Sequence, residues 1–225
     1  MGALVGGVFA SGKLDELEYW LSSLKKIDVF NLIDFTLSSN GIIKANKIFK
    51  EMCKFAPDQK IEDLPIKFVA VATDIKKRKE VLINEGSLFE AIRASISIPI
   101  VFTPVIKNDS LFVDGGVLNP VPVNRVFRNK GDILIAVNVN SQILHQRKNS
   151  NNNKNNNQSN QFKFSLENLK KNTGYINLVN ESTSIMLSQI TKLTLEMNPP
   201  DILIQVSKHS CGTFDFHKAN DLIEE

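Results

Sequence analysis

The sequence predicts an α/β domain built around a mainly parallel central sheet. Segments 66–74, 133–139 and 201–206 are mostly apolar and rich in β-branched residues, which is typical of inner strands buried on both faces. Stretches with apolar residues at helical spacing separate these segments, and that alternation indicates a layered α/β architecture. With 225 residues, 42% of them hydrophobic, the chain is large enough for one domain with a real core.

Three helices are predicted before the first strand. They span about 1–12, 14–26 and 44–55. The first is small, apolar and rich in glycine, so it can pack tightly, with Gly12 at its C-terminal end. The second carries leucines at helical spacing, acids early and lysines late. The third ends at Pro57, and residues 27–43 between them carry no clear pattern.

The middle of the chain predicts a hairpin, a capped helix and a strand. Residues 66–84 form two strands joined by a basic turn. Ser87 is followed three residues later by Glu90, which matches a capping box and starts a helix that stops before Pro99. A short extended piece and a turn then lead into a strand that ends at Asp114.

The last third of the chain contains an asparagine-rich insert between regular elements. Residues 149–161 read NSNNNKNNNQSNQ, a composition that has almost nothing to bury and cannot offset the entropy lost on ordering it. We expect a disordered surface insert at about 146–163 within a single domain spanning 1–225. A long helix over 175–196, the strand at 201–206 and a short terminal helix complete the chain.

Composition and charge argue against several classes of function. The formal charge is +3, with 27 basic and 24 acidic residues mixed along the chain, so no nucleic-acid footprint is predicted. No apolar run reaches the roughly 18 residues of a membrane span. Cys53 and Cys211 are far apart and the three histidines stand alone, so we expect no metal site and two free thiols in a reducing, cytoplasmic compartment.

The functional argument centres on the stretch LFVDGGVLNPVP at 111–122. Its single acid, Asp114, lies between apolar residues and two glycines. A carboxylate at the end of a buried strand is costly to desolvate unless it is paired or used for chemistry, and the glycines let a backbone or a substrate approach it. The competing interpretation, a hairpin turn at Asp-Gly, stays open on this stretch alone.

Four segments in this order resemble the patatin-like phospholipase family, in particular its compact bacterial members. They read MGALVGGVFASG at 1–12, EAIRASISIPIVFTPV at 90–105, LFVDGGVLNPVPV at 111–123 and PPDILIQVS at 199–207. The resemblance covers almost the whole chain apart from the asparagine-rich insert. It implies a three-layer domain related to the α/β hydrolases, here lacking the first strand–helix–strand unit.

The resemblance also assigns roles to residues. In that family a serine in a G-x-S-x-G elbow is the nucleophile, and the aspartate of a D-G-[GA] motif is its only base. Carried over, Asp114 of the motif Asp114–Gly115–Gly116 is the proton acceptor. Gly2 is the last glycine of the elbow, and Met1 is the residue after the serine.

The nucleophile itself is missing from the sequence. No G-x-S-x-G occurs in it, and the family's serine and glycine-rich oxyanion loop would precede Met1. Ser11, Ser95 and Ser97 lie outside any elbow context, so none is expected to replace that serine. Met1 stands where an internal methionine invites a misassigned start codon, or where a broken gene restarts.

The resemblance therefore implies the C-terminal part of a lipid acyl hydrolase, inactive on its own. The alternatives are a non-catalytic remnant or lipid-binding module and, ranked last, a small-molecule α/β module in which Asp114 is a hairpin turn. The implied partners are a lipid ester substrate and, transiently, a membrane surface, so that a cytoplasmic location includes peripheral membrane contact. No metal or organic cofactor and no nucleic acid is implied, and the oligomeric state stays open.

Overall fold

The computed structural model describes residues 1–34, 43–141, 175–212 and 215–223, so the asparagine-rich insert predicted at about 146–163 lies outside the described residues. The helices are α1 (Gly2–Ala10), α2 (Leu14–Ser23), α3 (Lys26–Leu32), α4 (Asn46–Met52), α5 (Leu88–Ser95), α6 (Tyr175–Met197) and α7 (Ala219–Ile223). The strands are β1 (Ala70–Asp74), β2 (Lys79–Ile83), β3 (Val105–Lys107), β4 (Ser110–Asp114), β5 (Ile135–Ser141) and β6 (Ile202–Ser207). The predicted α/β class is confirmed.

The larger sheet holds four strands in the order β2–β1–β4–β3, and every neighbouring pair in it is antiparallel. β1 lies between β2 and β4 and is buried along its whole length, as predicted for an inner strand. The hairpin predicted at 66–84 is confirmed, because the short turn after Asp74 returns the chain as β2 beside β1, and a short turn joins only antiparallel neighbours. Since β4 also runs antiparallel to β1, this sheet is antiparallel, whereas the sequence predicted a mainly parallel central sheet. In this register Ala72 lies opposite both Val81 and Asp114.

The parallel part of the fold is the pair β5 and β6, with Ile135 beside Ile202 and Val137 beside Ile204. A small apolar cluster packs beneath this pair, made of Val121, Val123, Leu134, Ala136 and Leu195. Ile135 and Val137 are 56% and 54% exposed, although the sequence predicted strands buried on both faces. The difference arises because no element within the described residues covers that face.

The main core lies where α1 packs against α5. A Cβ added to Gly7 would lie 2.8 Å from Cδ1 of Ile92 and 3.0 Å from Cδ1 of Leu88, so the two helices approach more closely than a side chain at this position permits. The surrounding core includes Leu4, Val8, Leu17, Met52, Ala70 and Phe89. Because α5 also packs on β1 and β4, α1 is held beside the larger sheet.

The helix ends confirm two of the predicted signals. Ser87 caps α5 by accepting a hydrogen bond on Oγ from the backbone N–H of Glu90 at 3.0 Å, and Gly12 follows α1 with a φ of 72°, a conformation that favours glycine. The helix α3 falls in the segment for which no pattern was found. Among the described residues, no helix is both long and apolar enough to cross a bilayer.

Candidate active site around Asp114

Asp114 is the last residue of β4, and it is fixed through its backbone from two sides. Its register partner on β1 is Ala72. Its N–H donates to the carbonyl oxygen of Ser97 at 2.9 Å, in the segment that follows α5. The side chain therefore projects from a backbone that is anchored to both the sheet and the helical layer.

The carboxylate of Asp114 caps the turn that follows the strand. Its Oδ1 accepts the backbone N–H of Gly116 at 2.6 Å, and a 3₁₀ turn spans Gly115–Val117. The alternative interpretation of Asp114–Gly115 as a hairpin turn is wrong. The hairpin in this region joins β3 to the start of β4, whereas Asp114 is at the other end of β4. The acid lies at the end of the strand, where an inner-strand motif would present it.

The two glycines after Asp114 make the close packing of this turn possible. A Cβ on Gly115 would lie 2.2 Å from the carbonyl oxygen of Val71, far inside van der Waals contact. A Cβ on Gly116 would lie 3.0 Å from Oδ1 of Asp114, where it would crowd the carboxylate. The sequence predicted that the glycines let another backbone come close to this turn, and the backbone of β1 at Val71 does so at Gly115.

Burial raises the pKa of Asp114 above its usual value, and two interactions oppose the rise. They are the hydrogen bond from the N–H of Gly116 and the positive charge at the amino terminus of Met1. The effect of the Met1 amino terminus is the smallest of the three. Met1 precedes α1, and Gly2, the first residue of α1, has nothing within 4 Å of an added Cβ.

A second buried acid on the same sheet shows the contrasting case. Burial on its own pushes up the pKa of Asp74, but hydrogen bonds, including one from the N–H of Lys77, outweigh it and lower the pKa below its usual value. Oδ1 of Asp74 accepts the N–H groups of Lys76 and Lys77 at 3.0 and 3.2 Å. Asp74 is therefore held ionised as a turn cap, whereas desolvation dominates at Asp114 and favours its neutral form.

Replacing Asp114 with asparagine is expected to raise the free energy of unfolding at neutral pH. The folded pKa lies above the unfolded value of about 3.9, so the penalty on the ionised carboxylate is full above the folded pKa. As pH falls through the folded pKa toward the unfolded value, that penalty disappears. The stability gain of Asp114→Asn over the wild type should therefore shrink on acidification, as measured by urea unfolding from about pH 7 to pH 4.

Asp201→Asn supplies a control with the opposite sign. The backbone N–H of Leu134 and the guanidinium of Arg128 lower the pKa of Asp201, so its contribution is present above the ordinary aspartate value and is lost as pH falls through the lowered pKa. Asp201→Asn should destabilise the protein at neutral pH. An Asp114→Asn variant that is less stable than the wild type at neutral pH would contradict the assignment of a desolvated carboxylate.

Arg93, which was not predicted from the sequence, connects three segments of backbone next to Asp114. Its Nε donates to the carbonyl of Lys44 at 3.0 Å, its Nη1 to Oγ of Ser97 at 2.6 Å and its Nη2 to the carbonyl of Thr103 at 2.8 Å. Because the carbonyl of Ser97 accepts the N–H of Asp114, Arg93 positions the acid through Ser97. A lone arginine on an apolar helix with a serine four residues later was the available signal.

Two of the serines considered as replacement nucleophiles are occupied in structural hydrogen bonds. Oγ of Ser97 donates to the carbonyl of Arg93 at 2.7 Å, and Oγ of Ser11 donates to the carbonyl of Val8 at 2.7 Å. Neither hydroxyl lies at a strand-to-helix elbow, and both follow their helices. Ser95 is also buried, within the last turn of α5.

Comparison with known proteins gives the same family as the motifs. A family model described as patatin-like phospholipase matches residues 1–127. An uncharacterized NTE family protein of Mycobacterium tuberculosis is 42% identical over 140 residues, which cover 62% of this chain and 39% of the relative. The patatin-like phospholipase domain-containing protein 7 of Mus musculus is 27% identical over 150 residues, or 63% of this chain and 11% of the relative.

A fungal relative carries an activity in its name. The lysophospholipase NTE1 of Yarrowia lipolytica is 24% identical over 149 residues, which cover 63% of this chain and 10% of the relative. The matched part of this chain thus spans about two fifths of the mycobacterial relative and about a tenth of the fungal and mouse relatives.

Proposed function

We propose, from the premise that this chain belongs to the patatin-like phospholipase family, that it carries the base half of a serine–aspartate lipid acyl hydrolase. Asp114 is the base in this proposal, and Gly115 and Gly116 shape the turn that holds it. The observation that supports it most is the position of Asp114 at the end of β4, where its N–H is held by the carbonyl of Ser97, its carboxylate accepts the N–H of Gly116 and burial raises its pKa. The family resemblance places Met1, just before α1, directly after the nucleophilic serine.

In the proposed reaction Asp114 acts twice as a proton acceptor. It takes the serine hydroxyl proton as the serine oxygen attacks the ester carbonyl, and the proton then passes to the leaving alcohol as the acyl-serine forms. It next takes a proton from the water that attacks the acyl-serine and passes it to the serine oxygen as the acyl–oxygen bond breaks, which releases the fatty acid and regenerates both the serine hydroxyl and the ionised Asp114. A base is most effective when its pKa lies near the working pH, so the raised pKa of Asp114 supports this role.

The proposal places the nucleophile and the oxyanion donors in residues that precede Met1 in the working enzyme. The chain itself contains no G-x-S-x-G, and the loss of one oxyanion donor alone costs about a hundredfold or more in rate. We propose that residues 1–225 are the C-terminal part of a single domain, that they are inactive alone, and that the substrate is a lipid ester met at a membrane surface.

The experiment compares two forms of the protein with a short-chain p-nitrophenyl ester. One is the 225-residue chain, and the other is the same chain extended through the coding sequence that lies in frame upstream of Met1. We expect no significant hydrolysis from the first form and enzymatic hydrolysis from the second.

Two results of this experiment would contradict the proposal. Hydrolysis by the 225-residue chain that disappears in Asp114→Ala would show that the nucleophile lies within it. A stop or frameshift immediately upstream, with no Gly-x-Ser, would instead favour the second candidate, a non-catalytic remnant that retains the walls of a lipid pocket.

A further inference from the structure

The loop at residues 124–133, which leads from the Asp114 region to β5, carries exposed apolar side chains among cations. Over residues 124–133, Phe127 is 77% exposed, Ile133 68% and Val126 54%. An aromatic side chain so open to water contributes little buried area to the fold and is available to a partner. The same loop carries Arg125, Arg128 and Lys130.

The position of this loop in the fold follows from a contact with Lys67 and from the pairing of β1 with β4. Nζ of Lys67, three residues before β1, lies 5.6 Å from the centre of the Phe127 ring. Because β1 and β4 are antiparallel with Ala72 opposite Asp114, the start of β1 and the end of β4 lie at the same end of the sheet. Phe127 therefore lies at the end of the sheet that carries Asp114.

A chain of hydrogen bonds connects the loop to the turn after Asp114. The N–H of Asn119 donates to the carbonyl of Gly115 at 2.9 Å. Nδ2 of Asn119 donates to Oδ1 of Asn124 at 2.9 Å and to Glu80 at 2.8 Å, and Arg125 in turn pairs with Glu80. The loop is thus a fixed extension of the candidate active site.

Further apolar side chains lie exposed at the same end of the sheet. We call the set the apolar rim; it consists of Ile66, Val69, Leu118, Val126 and Phe127, which are 41–77% exposed. Ile66 and Val69 precede β1, and Leu118 follows the 3₁₀ turn at Asp114. The rim therefore borders the place where a lipid ester would have to reach the base.

The charges around the rim complement an anionic surface. Arg125 and Arg128 pair with Glu80 and Asp201, whereas Lys67 and Lys130 have no acidic partner within the described part of the chain. Aromatic residues flanked by cations are favoured at the interface of anionic membranes. A twofold contact between two copies of the rim would bring these lysines together, and like charges oppose it.

We propose that the apolar rim docks the Asp114 end of the sheet onto an anionic phospholipid surface, with Phe127 inserted among the lipids and Lys67 and Lys130 facing lipid phosphates. This inference rests on the proposed function, because it supplies the surface from which a lipid ester would enter. It assigns no catalytic step to the rim. Arg125 and Arg128 hold the loop in place through their ion pairs.

The test is co-sedimentation of the 225-residue chain with vesicles of phosphatidylcholine alone and of phosphatidylcholine mixed with phosphatidylglycerol. The matched control for Phe127→Ser is Tyr19→Ser, because Tyr19 is an equally exposed aromatic residue, 80% open, on α2. We expect Phe127→Ser to weaken binding to the mixed vesicles about tenfold, as expected for one aromatic side chain withdrawn from lipid. Tyr19→Ser should bind like the wild type.

The lysines test the choice of lipid. The double variant Lys67→Gln, Lys130→Gln should lose about tenfold or more in binding to the mixed vesicles, given about 1 kcal/mol for each basic residue at an anionic surface. Its weak binding to phosphatidylcholine should stay unchanged, and added salt should reduce the difference from the wild type.

Three outcomes would overturn the inference. They are equal vesicle binding by Phe127→Ser and the wild type, equal binding by the wild type to both vesicle types, and a concentration-dependent dimer that Phe127→Ser abolishes without any vesicle binding. Asp114→Asn should bind vesicles like the wild type. Hydrolysis of a soluble ester by the extended form without vesicle binding by either form would therefore contradict the rim alone, whereas vesicle binding without hydrolysis would contradict the proposed function alone.

Discussion

Asp114→Asn is expected to lower kcat/KM of the extended, serine-containing form about a thousandfold, which lies within the range for loss of a general base. The amide cannot accept a proton, but its Oδ1 can still accept the N–H of Gly116, now 2.6 Å from the carboxylate. The geometry of the turn is therefore kept while the chemistry is removed. A soluble p-nitrophenyl ester measures the effect without any contribution from lipid binding.

The matched control is Asp109→Asn on the same hairpin. Asp109 lies in the turn between β3 and β4, at the other end of β4, and its side chain is 92% exposed. This variant should keep wild-type kcat/KM. Asp114→Asn with unchanged kcat/KM would exclude Asp114 as the base, and loss of folding cannot explain a loss of activity if the variant shows the gain in stability expected at neutral pH.

The pH dependence of the same assay gives a second readout. Because burial raises the pKa of Asp114, the acidic limb of the kcat/KM profile should lie above the ordinary aspartate value of about 3.9. A purely structural role for Asp114 would leave no such limb at its pKa.

The elements that could be predicted are those set by local chemistry. Ser87 and Gly12 mark helix ends because the start of a helix needs a side-chain acceptor for its free N–H groups and the end of a helix often needs a positive φ. Both requirements depend only on the nearest few residues. Asp114 could be singled out because an acid between apolar residues and glycines conflicts with simple burial. These signals needed no knowledge of distant parts of the chain.

The features that could not be predicted depend on residues far apart in sequence. The basic turn predicted the antiparallel pairing of β1 with β2, but the pairing of β1 with β4 joins segments far apart in sequence. The apolar composition of β1 fits either an antiparallel or a parallel inner strand. The role of Arg93 depends on the carbonyls of Lys44 and Thr103, which the fold brings to one place. No pattern within one segment predicts hydrogen bonds between residues so far apart in sequence.

The second large effect is expected from Gly115→Ala in the 225-residue chain. A Cβ at this position would lie 2.2 Å from the carbonyl oxygen and 2.6 Å from the carbonyl carbon of Val71. Both neighbours are backbone atoms of β1, which is buried and paired on each side, so the turn and the strand must separate. We expect a loss of about 3 kcal/mol in the free energy of unfolding, the upper part of the usual range for overpacking, measured by urea denaturation.

Two glycine variants bracket this prediction because they differ in what the added methyl group meets. Gly2→Ala places its Cβ where nothing lies within 4 Å, and it should leave stability unchanged or raise it slightly, since alanine favours the helix. Gly116→Ala meets Oδ1 of Asp114 at 3.0 Å, so it should displace the carboxylate and lower the activity of the extended form more than it lowers stability. Gly115 has no positive φ, so only steric contact can explain its loss. If Gly115→Ala unfolds at the same urea concentration as Gly2→Ala, the close approach of β1 to the turn is wrong, and with it the placement of Asp114 at the end of a closely packed inner strand.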